Sequence, residues 1–418
     1  METSYSVFSE TALKLIGTKG QAGMVLPTGI ATDEGNKEFF AQLVEENRLV
    51  SLFDFENKEG IFPQVAVIVK FCLLTFRAAG KSVKDSVAQA RFAFFLHSVN
   101  DLKDERRQFG LTTEDFALIN PNTKTSPVFH SSNDAKLIKR LYTSCPVLVN
   151  ESRSENSWLV TFRQGLFNMT SDSNLFVTRN QLDAQDSQLA GNIFRKGRKT
   201  YLPLYEAKFI QQFDHRHGSF EYIAEDRLFK TKAGTNAPEA EQKSDPNYVI
   251  LPRFWVEEEQ IEKAVPESWQ RRWFIAFRNI IQPMTNARCA IFSIIPFVAV
   301  GNSTPLLFTE HSRLDEVCCL LGCLNSFVVD YVTRQKMGGG NFNFFIVKQL
   351  PVLPPSAYTP ADVEFIAPRV LELVYTAWDI KAFADDVWKE ANSEWRIANG
   401  DNSPLATLKC TPKAGQAE

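Results

Sequence analysis

The order of periodicities in the first 80 residues constrains this chain more than any other feature. Residues 7–16 (VFSETALKLI) place Phe8, Ala12, Leu15 and Ile16 at helical spacing, and Gly17 and Gly20 close that helix. AGMVL (22–26) then reads as a short buried strand. KEFFAQLVEEN reads as a second helix with Phe39, Phe40, Leu43 and Val44 on its inner side, and RLVSLFDF (48–55) as a second strand. After a turn holding Gly60 and Pro63, the run VAVIVKFCLLTF predicts a third strand, close enough to the second to be its antiparallel neighbour. Helix, strand, helix, strand, strand is the sequence of an α/β layer.

The pattern then changes. Residues 81–125 are polar and mixed, with the charged run DLKDERR (101–107), and predict a connector carrying short helices. From 126 to 355 short β-like runs (WLVTF, LFVT, FEYIA, YVILPRFWV, WFIAFRNII, AIFSIIPFVAV) are broken by Asn, Gly, Ser and Pro, which predicts one irregular β-rich α+β domain with a solvated loop at 233–247. Beyond the proline cluster QLPVLPP (349–355), residues 356–400 return to helical spacing through Phe365, Ile366, Val370, Leu373, Val374 and Ala377, and 401–418 form a polar tail. At roughly 100 to 200 residues per domain, 418 residues accommodate two or three domains.

Charge excludes a global field. With 46 basic against 49 acidic side chains the net charge is −3, so contact with a polyanion must come from local clusters. No basic segment followed by an apolar core opens the chain, and the apolar stretches at 65–76 and 289–300 fall short of the roughly 20 residues a membrane span needs. The expectation is a cytoplasmic protein with no membrane partner, those two stretches being buried strands. Seven scattered cysteines predict reduced thiols. No G-x-x-x-x-G-K loop, G-x-G-x-x-G loop or G-x-S-x-G elbow is present. Asp214, His215 and His217 lie close in DHRH, with Glu206 upstream, but alternation in an extended segment turns His215 away from the other two, so no metal site is expected.

Basic and aromatic residues interleave in three places. NIFRKGRKTY (192–201) holds Arg195, Lys196, Arg198 and Lys199; WQRRWFIAFR (269–278) sets Arg271, Arg272 and Arg278 among Trp269, Trp273 and Phe277; YVTRQKMGGGNFNFFIVKQ carries Arg334, Lys336, Asn341, Asn343 and Lys348 around a glycine run. Arg and Lys bind phosphates, and Arg and Asn read guanine and adenine edges. Arg216, with the histidines of DHRH, is expected to line a groove as a DNA contact or to satisfy backbone groups. A solvated charged face remains the alternative for each cluster.

Several segments in order resemble the C-terminal half of large adenine-specific DNA methyltransferases of the type IIG restriction-modification kind, with relatives among BREX and DISARM phage-defence enzymes. SVFSETALKLIGTKGQAGMVLPTGIATDEGNKEFF is similar to the helix and strand that follow the family's Asn/Asp-Pro-Pro-aromatic tetrapeptide, and FDFENKEGIFPQVAVIVKFCLLTF to its closing strand pair. INPNTKTSPVF, DSNLFVTRNQL, YLPLYEAKFIQQFDHR, TNARCAIFSIIP and LNSFVVDYVTRQKMGGGNFNFFIVKQLPVLPP resemble landmarks of its target-recognition region, which is similar to type I specificity subunits. The resemblance spans roughly residues 5–390 and departs at Cys289, where Thr is expected.

The resemblance implies a partial Rossmann-like methyltransferase sheet in 1–80, a connector in 81–125, a target-recognition domain in 126–355 that binds double-stranded DNA, a helical segment in 356–400 and a mobile tail. It implies that a flipped adenine stacks on Phe62, for which an ordinary core Phe beginning a strand is the alternative, while S-adenosylmethionine supplies the methyl group. The tetrapeptide itself is absent: Asn120-Pro121-Asn122-Thr123 lacks the second Pro and the aromatic, and Pro354-Pro355 lacks the preceding acid or amide. No catalytic or cofactor-binding residue is therefore expected in this sequence. The expected activity is DNA recognition, with methyl transfer only alongside an upstream methyltransferase half. Two alternatives stay open: a non-catalytic DNA specificity subunit and a β-rich protein-interaction module.

Overall fold

Helical and strand periodicities resolve into a mixed α/β chain with three sheets among the described residues. The computed structural model describes residues 4–67, 69–78, 89–230, 233–283, 285–337 and 340–388. The tail from 401, Cys410 and the first two glycines of Gly338-Gly339-Gly340 lie outside the described residues. The chain divides into two units: Met1–Asn156 with Val332–Gly339 and Phe345–Pro351, and Ser157–Tyr331 with Gly340–Phe344 and Val352–Glu418.

In the first unit α1 (Ser4–Leu15), β1 (Gln21–Pro27), α2 (Gly29–Thr32), α3 (Lys37–Glu45), β2 (Leu49–Glu56) and β3 (Lys70–Arg77) follow the expected order, with one extra helical turn after β1. β3 lies antiparallel between β1 and β2, with Leu26 opposite Cys72 and Phe53 opposite Leu73. The helix α3 buries all four residues its spacing selects, Phe39, Phe40, Leu43 and Val44. Two expectations fail at the other end of the sheet. The α1 stripe does not face a core: Phe8 and Leu15 are 68% and 79% exposed, and Ser9 and Leu13 are the buried positions. Nor is β1 buried, because it pairs only with β3 and shows Val25 to solvent. Periodicity selects the face of an element but does not supply the layer that covers it.

Residues 90–111 contain the expected short helical turns and also two strands. β4 (Ala90–Leu96) pairs parallel with β2, and β5 (Phe109–Leu111) closes that side of the sheet, giving the order β1-β3-β2-β4-β5. The reason is aromatic packing. Phe92 and Phe94 stack with Phe109, and Phe116 of α4 (Thr113–Ile119) meets Phe92 and Phe40. Helix α5 (Ser132–Ser144) buries Ala135, Ile138 and Tyr142, whose hydroxyl donates to the Gln349 carbonyl at 2.6 Å.

The second unit holds two sheets. One orders β10 (Trp255–Glu257), β9 (Lys199–Tyr205), β8 (Ile193–Lys196) and β7 (Gln188–Ala190), with β13 (Ala299–Val300) parallel to β9. The other orders β12 (Phe292–Pro296), β11 (Trp273–Phe277), β14 (Leu306–Thr309) and β6 (Val160–Arg163). Every residue of β11, β12 and β14 is buried. Helix Leu314–Leu324 buries Leu314, Val317, Leu320 and Leu321, and helix Pro360–Val374 approaches it at Gly322, where a Cβ would meet Val370 at 3.4 Å. Of the β-like runs, WLVTF and WFIAF become strands, LFVT and FEYIA do not, and YVILPRFWV is extended only at its end. Among the described residues no single helix is long and apolar enough to cross a membrane.

Candidate nucleic-acid interface

Strand direction sets the site in the first unit. Because β1 and β2 both run antiparallel to β3 while β4 runs parallel to β2, the C-terminal ends of β1, β2 and β4 share one rim with the start of β3. Open α/β sheets bind ligands at that rim. Here it carries a cleft of about 290 Å³ lined by Tyr5, Thr28, Asp33, Asp54, Lys70 and Phe94. Asp54 is buried and accepts hydrogen bonds from the Thr28 hydroxyl at 2.5 Å and the Phe95 amide at 3.2 Å; burial pushes its carboxyl above the usual range. Burial acts to raise the neighbouring Glu56 as well, but Lys58, His97 and Lys70 together carry it below its ordinary value.

Phe95 stands in the left-handed region (φ 57°), an uncommon conformation for an aromatic residue. Asp54 takes its amide, Arg107 donates to its carbonyl at 2.9 Å, His130 stacks on its ring at 3.8 Å and the Lys70 ammonium lies 4.4 Å above it. Sequence reasoning missed this knot because its members lie far apart along the chain. Only Phe95-Leu96-His97, following β4's aromatic run, could have pointed to it.

Phe62 lies in the loop that leaves β2 at this rim. Buried Asn57 fixes that loop: its amide donates to the Phe62 and Val65 carbonyls, and its oxygen accepts the Phe62 N–H. The Phe62 ring meets Phe71 edge-on at 4.8 Å and keeps 40% of its surface exposed, so one side remains open to a ligand. Ile61, Val65, Val67 and Val69 are exposed beside it, since β3 starts at Lys70 rather than at residue 65.

The basic clusters meet different fates. Arg195, Lys196 and Arg198 are exposed at the tip of the β8–β9 hairpin, where Lys196 pairs with Lys199 and Gly197 (φ 56°) supplies the left-handed turn. Lys199 also reaches Glu257 at 3.0 Å. Arg272 is shared by Glu258 and Glu262 and covers Phe297, and Arg271 lies over Trp269 and Trp273 with Asp386 at 3.9 Å. The half-buried Arg278 has no hydrogen bond or ion pair from its guanidinium among the described residues, and burial lowers it. The third cluster divides between units: Arg334, Lys336 and Lys348 belong to the first, Asn341 and Asn343 to the second. Arg334 is half-buried, and Lys348 pairs with Glu151 at 2.6 Å.

Two expected contacts are corrected. Arg216 is 1% exposed, and its terminal nitrogens donate to the carbonyls of Asp245, Tyr248, Lys243 and Thr376 at 2.9–3.0 Å. It closes the 243–248 segment, expected as a solvated loop, onto the turn after helix Pro360–Val374, and does not face a groove. The Lys336 ammonium is enclosed, donates to the Ile119 carbonyl and Asn120 Oδ1, and lies 5.0 Å from the Tyr142 ring; burial drives it well below its usual value. Both cations satisfy carbonyls that burial would otherwise leave without donors. Cys289 is likewise buried, its N–H held by Asp330 at 2.6 Å, and His215 is buried against Asp379 at 2.8 Å.

No protein-family profile and no curated protein matches the sequence. Among solved structures, the chain is similar to the type IIG restriction endonuclease BpuSI, at 12% identity over 93% of this chain and 49% of that one, with a TM-score of 0.30. It is also similar to the type IIL restriction-modification enzyme MmeI in complex with DNA, at 10% identity over 97% and 50%, with a TM-score of 0.43. The chain spans about half the length of each. Scores below 0.5 leave the backbones too far apart for any residue of theirs to be carried onto this chain.

Proposed function

We propose that this chain is the DNA-recognition part of a site-specific adenine-N6 DNA methyltransferase of restriction-modification or phage-defence type, active in methyl transfer only with a protein region that supplies the cofactor loop and the catalytic tetrapeptide. The observation that carries the reading is the rim of the first sheet: an exposed aromatic, Phe62, held by a fixed loop beside a polar cleft, at the strand ends where α/β sheets take ligands. Support comes from the order of β1, β2 and β3, which suits the closing portion of a partial Rossmann-like sheet, and from the uncovered face beside β1. Val7, Phe8, Leu15 and Val25 are all exposed there, as expected of a sheet whose neighbouring layer comes from elsewhere.

In this reading the second unit recognises double-stranded DNA, and the hairpin-tip cations Arg195, Lys196 and Arg198 contact phosphates. A flipped adenine stacks on the open side of Phe62, a contribution of roughly 1 to 3 kcal/mol per base. S-adenosylmethionine would be bound by the complementary region, since the described residues contain neither the Gly-x-Gly loop nor the tetrapeptide. This chain's own part is to hold and orient the base.

The test combines the full chain with a protein fragment bearing cofactor loop and tetrapeptide and follows methyl transfer to duplex DNA. Methylation of adenine in the mixture and in neither part alone is the expected result, reduced at least tenfold by Phe62→Ala. Salt-dependent DNA binding without restored transfer would instead favour a specificity subunit, and no DNA binding would leave the interaction-module alternative.

A further inference from the structure

Arg278 is a half-buried cation for which the described residues provide no counterion. Leaving a desolvated guanidinium without an acceptor is costly, and the two titratable side chains that feel its charge are a lysine, Lys208, and a histidine, His217, rather than an acid. The backbone brings them together. The Asn279 N–H donates to the Ser303 carbonyl at 3.1 Å, while the Ser303 hydroxyl accepts the Ala207 N–H at 3.3 Å, which places Lys208 beside the end of β11. At the same end the Arg278 N–H donates to Ile291 and the Phe213 N–H to Phe292, and the His217 N–H donates to Phe209. Three separate segments are thereby tied into one corner, and Arg278 acts electrostatically on both Lys208 and His217.

The nearby acids pair with other cations, Lys208 among them, and not with Arg278. Glu206 forms a two-pronged pair with Arg253 at 2.7 and 2.9 Å and lies 3.5 Å from Lys208; Asp214 is held by Lys243 at 2.6 Å. The His217 imidazole, half-buried, has no side-chain partner among the described residues, and the Asn279 side-chain oxygen is buried without a donor. Burial, with Lys243 and Arg278, lowers His217 against the pull of Asp214, so the free corner holds a neutral imidazole at neutral pH.

We propose that Arg278, Lys208 and His217 form a phosphate site, and that its ligand is a backbone phosphate of bound nucleic acid. The proposal rests on the DNA reading above and adds two residues that no basic cluster in the sequence contained. A phosphate arriving at this corner supplies the missing anion, accepts from Arg278 and favours protonation of His217, so binding takes up a proton and strengthens as pH falls.

The experiment uses the full chain. Fluorescence anisotropy with a duplex oligonucleotide across a salt series should show, for Arg278→Gln, weakening that is uniform among sequences and a log K against log salt slope shallower by about one. His217→Gln should remove the tightening between pH 8 and pH 6. Both variants should keep or raise the thermal midpoint, because neither side chain loses a partner. In parallel, inorganic phosphate should shift the His217 imidazole resonances of selectively ¹⁵N-labelled wild-type chain and not of Arg278→Gln. Wild-type DNA binding with an unchanged slope in Arg278→Gln overturns the nucleic-acid assignment. A phosphate response in a chain that binds no DNA keeps the anion site and overturns the DNA reading instead. No response in either arm overturns the site itself.

Discussion

Strands β1 and β11 are both short apolar runs, yet they end in opposite environments. All five residues of β11 are buried between β12, β14 and the helices over them, whereas of the seven residues of β1 only Leu26 is. β1 carries Gln21, Gly23 and Pro27 where β11 is wholly apolar, but Val25 is exposed for want of cover rather than for its own polarity. A strand becomes core only when a second layer packs on it, and the first unit leaves one margin of its sheet without that layer among the described residues. The difference teaches that an exposed edge can mark a place prepared for further structure as readily as a weak point in the fold.

The sharpest way to break this contrast is in the covered sheet. Trp273 packs against Trp269 and Phe383 and donates its indole N–H to Asp386 at 2.9 Å, so Trp273→Ala should cost about 3–5 kcal/mol, measured by denaturant unfolding. Arg216→Ala should follow at about 3 kcal/mol, because the buried guanidinium is replaced by a cavity and four part-buried carbonyls lose their donor, and DNA affinity of the folded protein should remain unchanged. A loss of DNA affinity at full stability would return Arg216 to the interface. The smallest effect belongs to the open margin. Val25→Lys should change the stability of the chain alone by no more than about 0.5 kcal/mol, while abolishing methyl transfer in the reconstituted mixture. A large destabilisation of the isolated chain would mean that the β1 face is already part of a core.

Several of these features were legible before folding. The α3 stripe and the antiparallel relation of β2 to β3 follow from spacing and from the nearness of the two strands along the chain, both local properties. The hairpin of the first basic cluster, which was read only as cations among aromatics, rests on an equally local signal, since Gly197 sits where a left-handed turn is required. The parallel pairing of β4 with β2 was not legible, because a parallel partner is chosen by side chains distant in sequence, here Phe55 of β2 packed with Phe71, Ala93 and Leu96 in one buried cluster. Residues 362–388 show the same limit. Helix Pro360–Val374 starts at the Thr359 capping box, but the continuous helix expected there breaks after Val374, where the Thr376 carbonyl turns to Arg216.

Charge shows the divide most plainly. Sequence identified Arg195, Lys196, Arg198, Arg278 and Lys336 as cations among aromatics and grouped Arg216 with them as a DNA contact. The fold sorts them into exposed hairpin cations, buried donors to carbonyls, and one desolvated guanidinium with no acid beside it. The sequence by itself determined the helix α3, the strands β2 and β11 and where cations cluster, because those depend on neighbours a few residues apart. Only the tertiary structure decided which strand is core and which cation is free to meet a ligand, because burial and counterions come from residues that the chain brings together after long excursions.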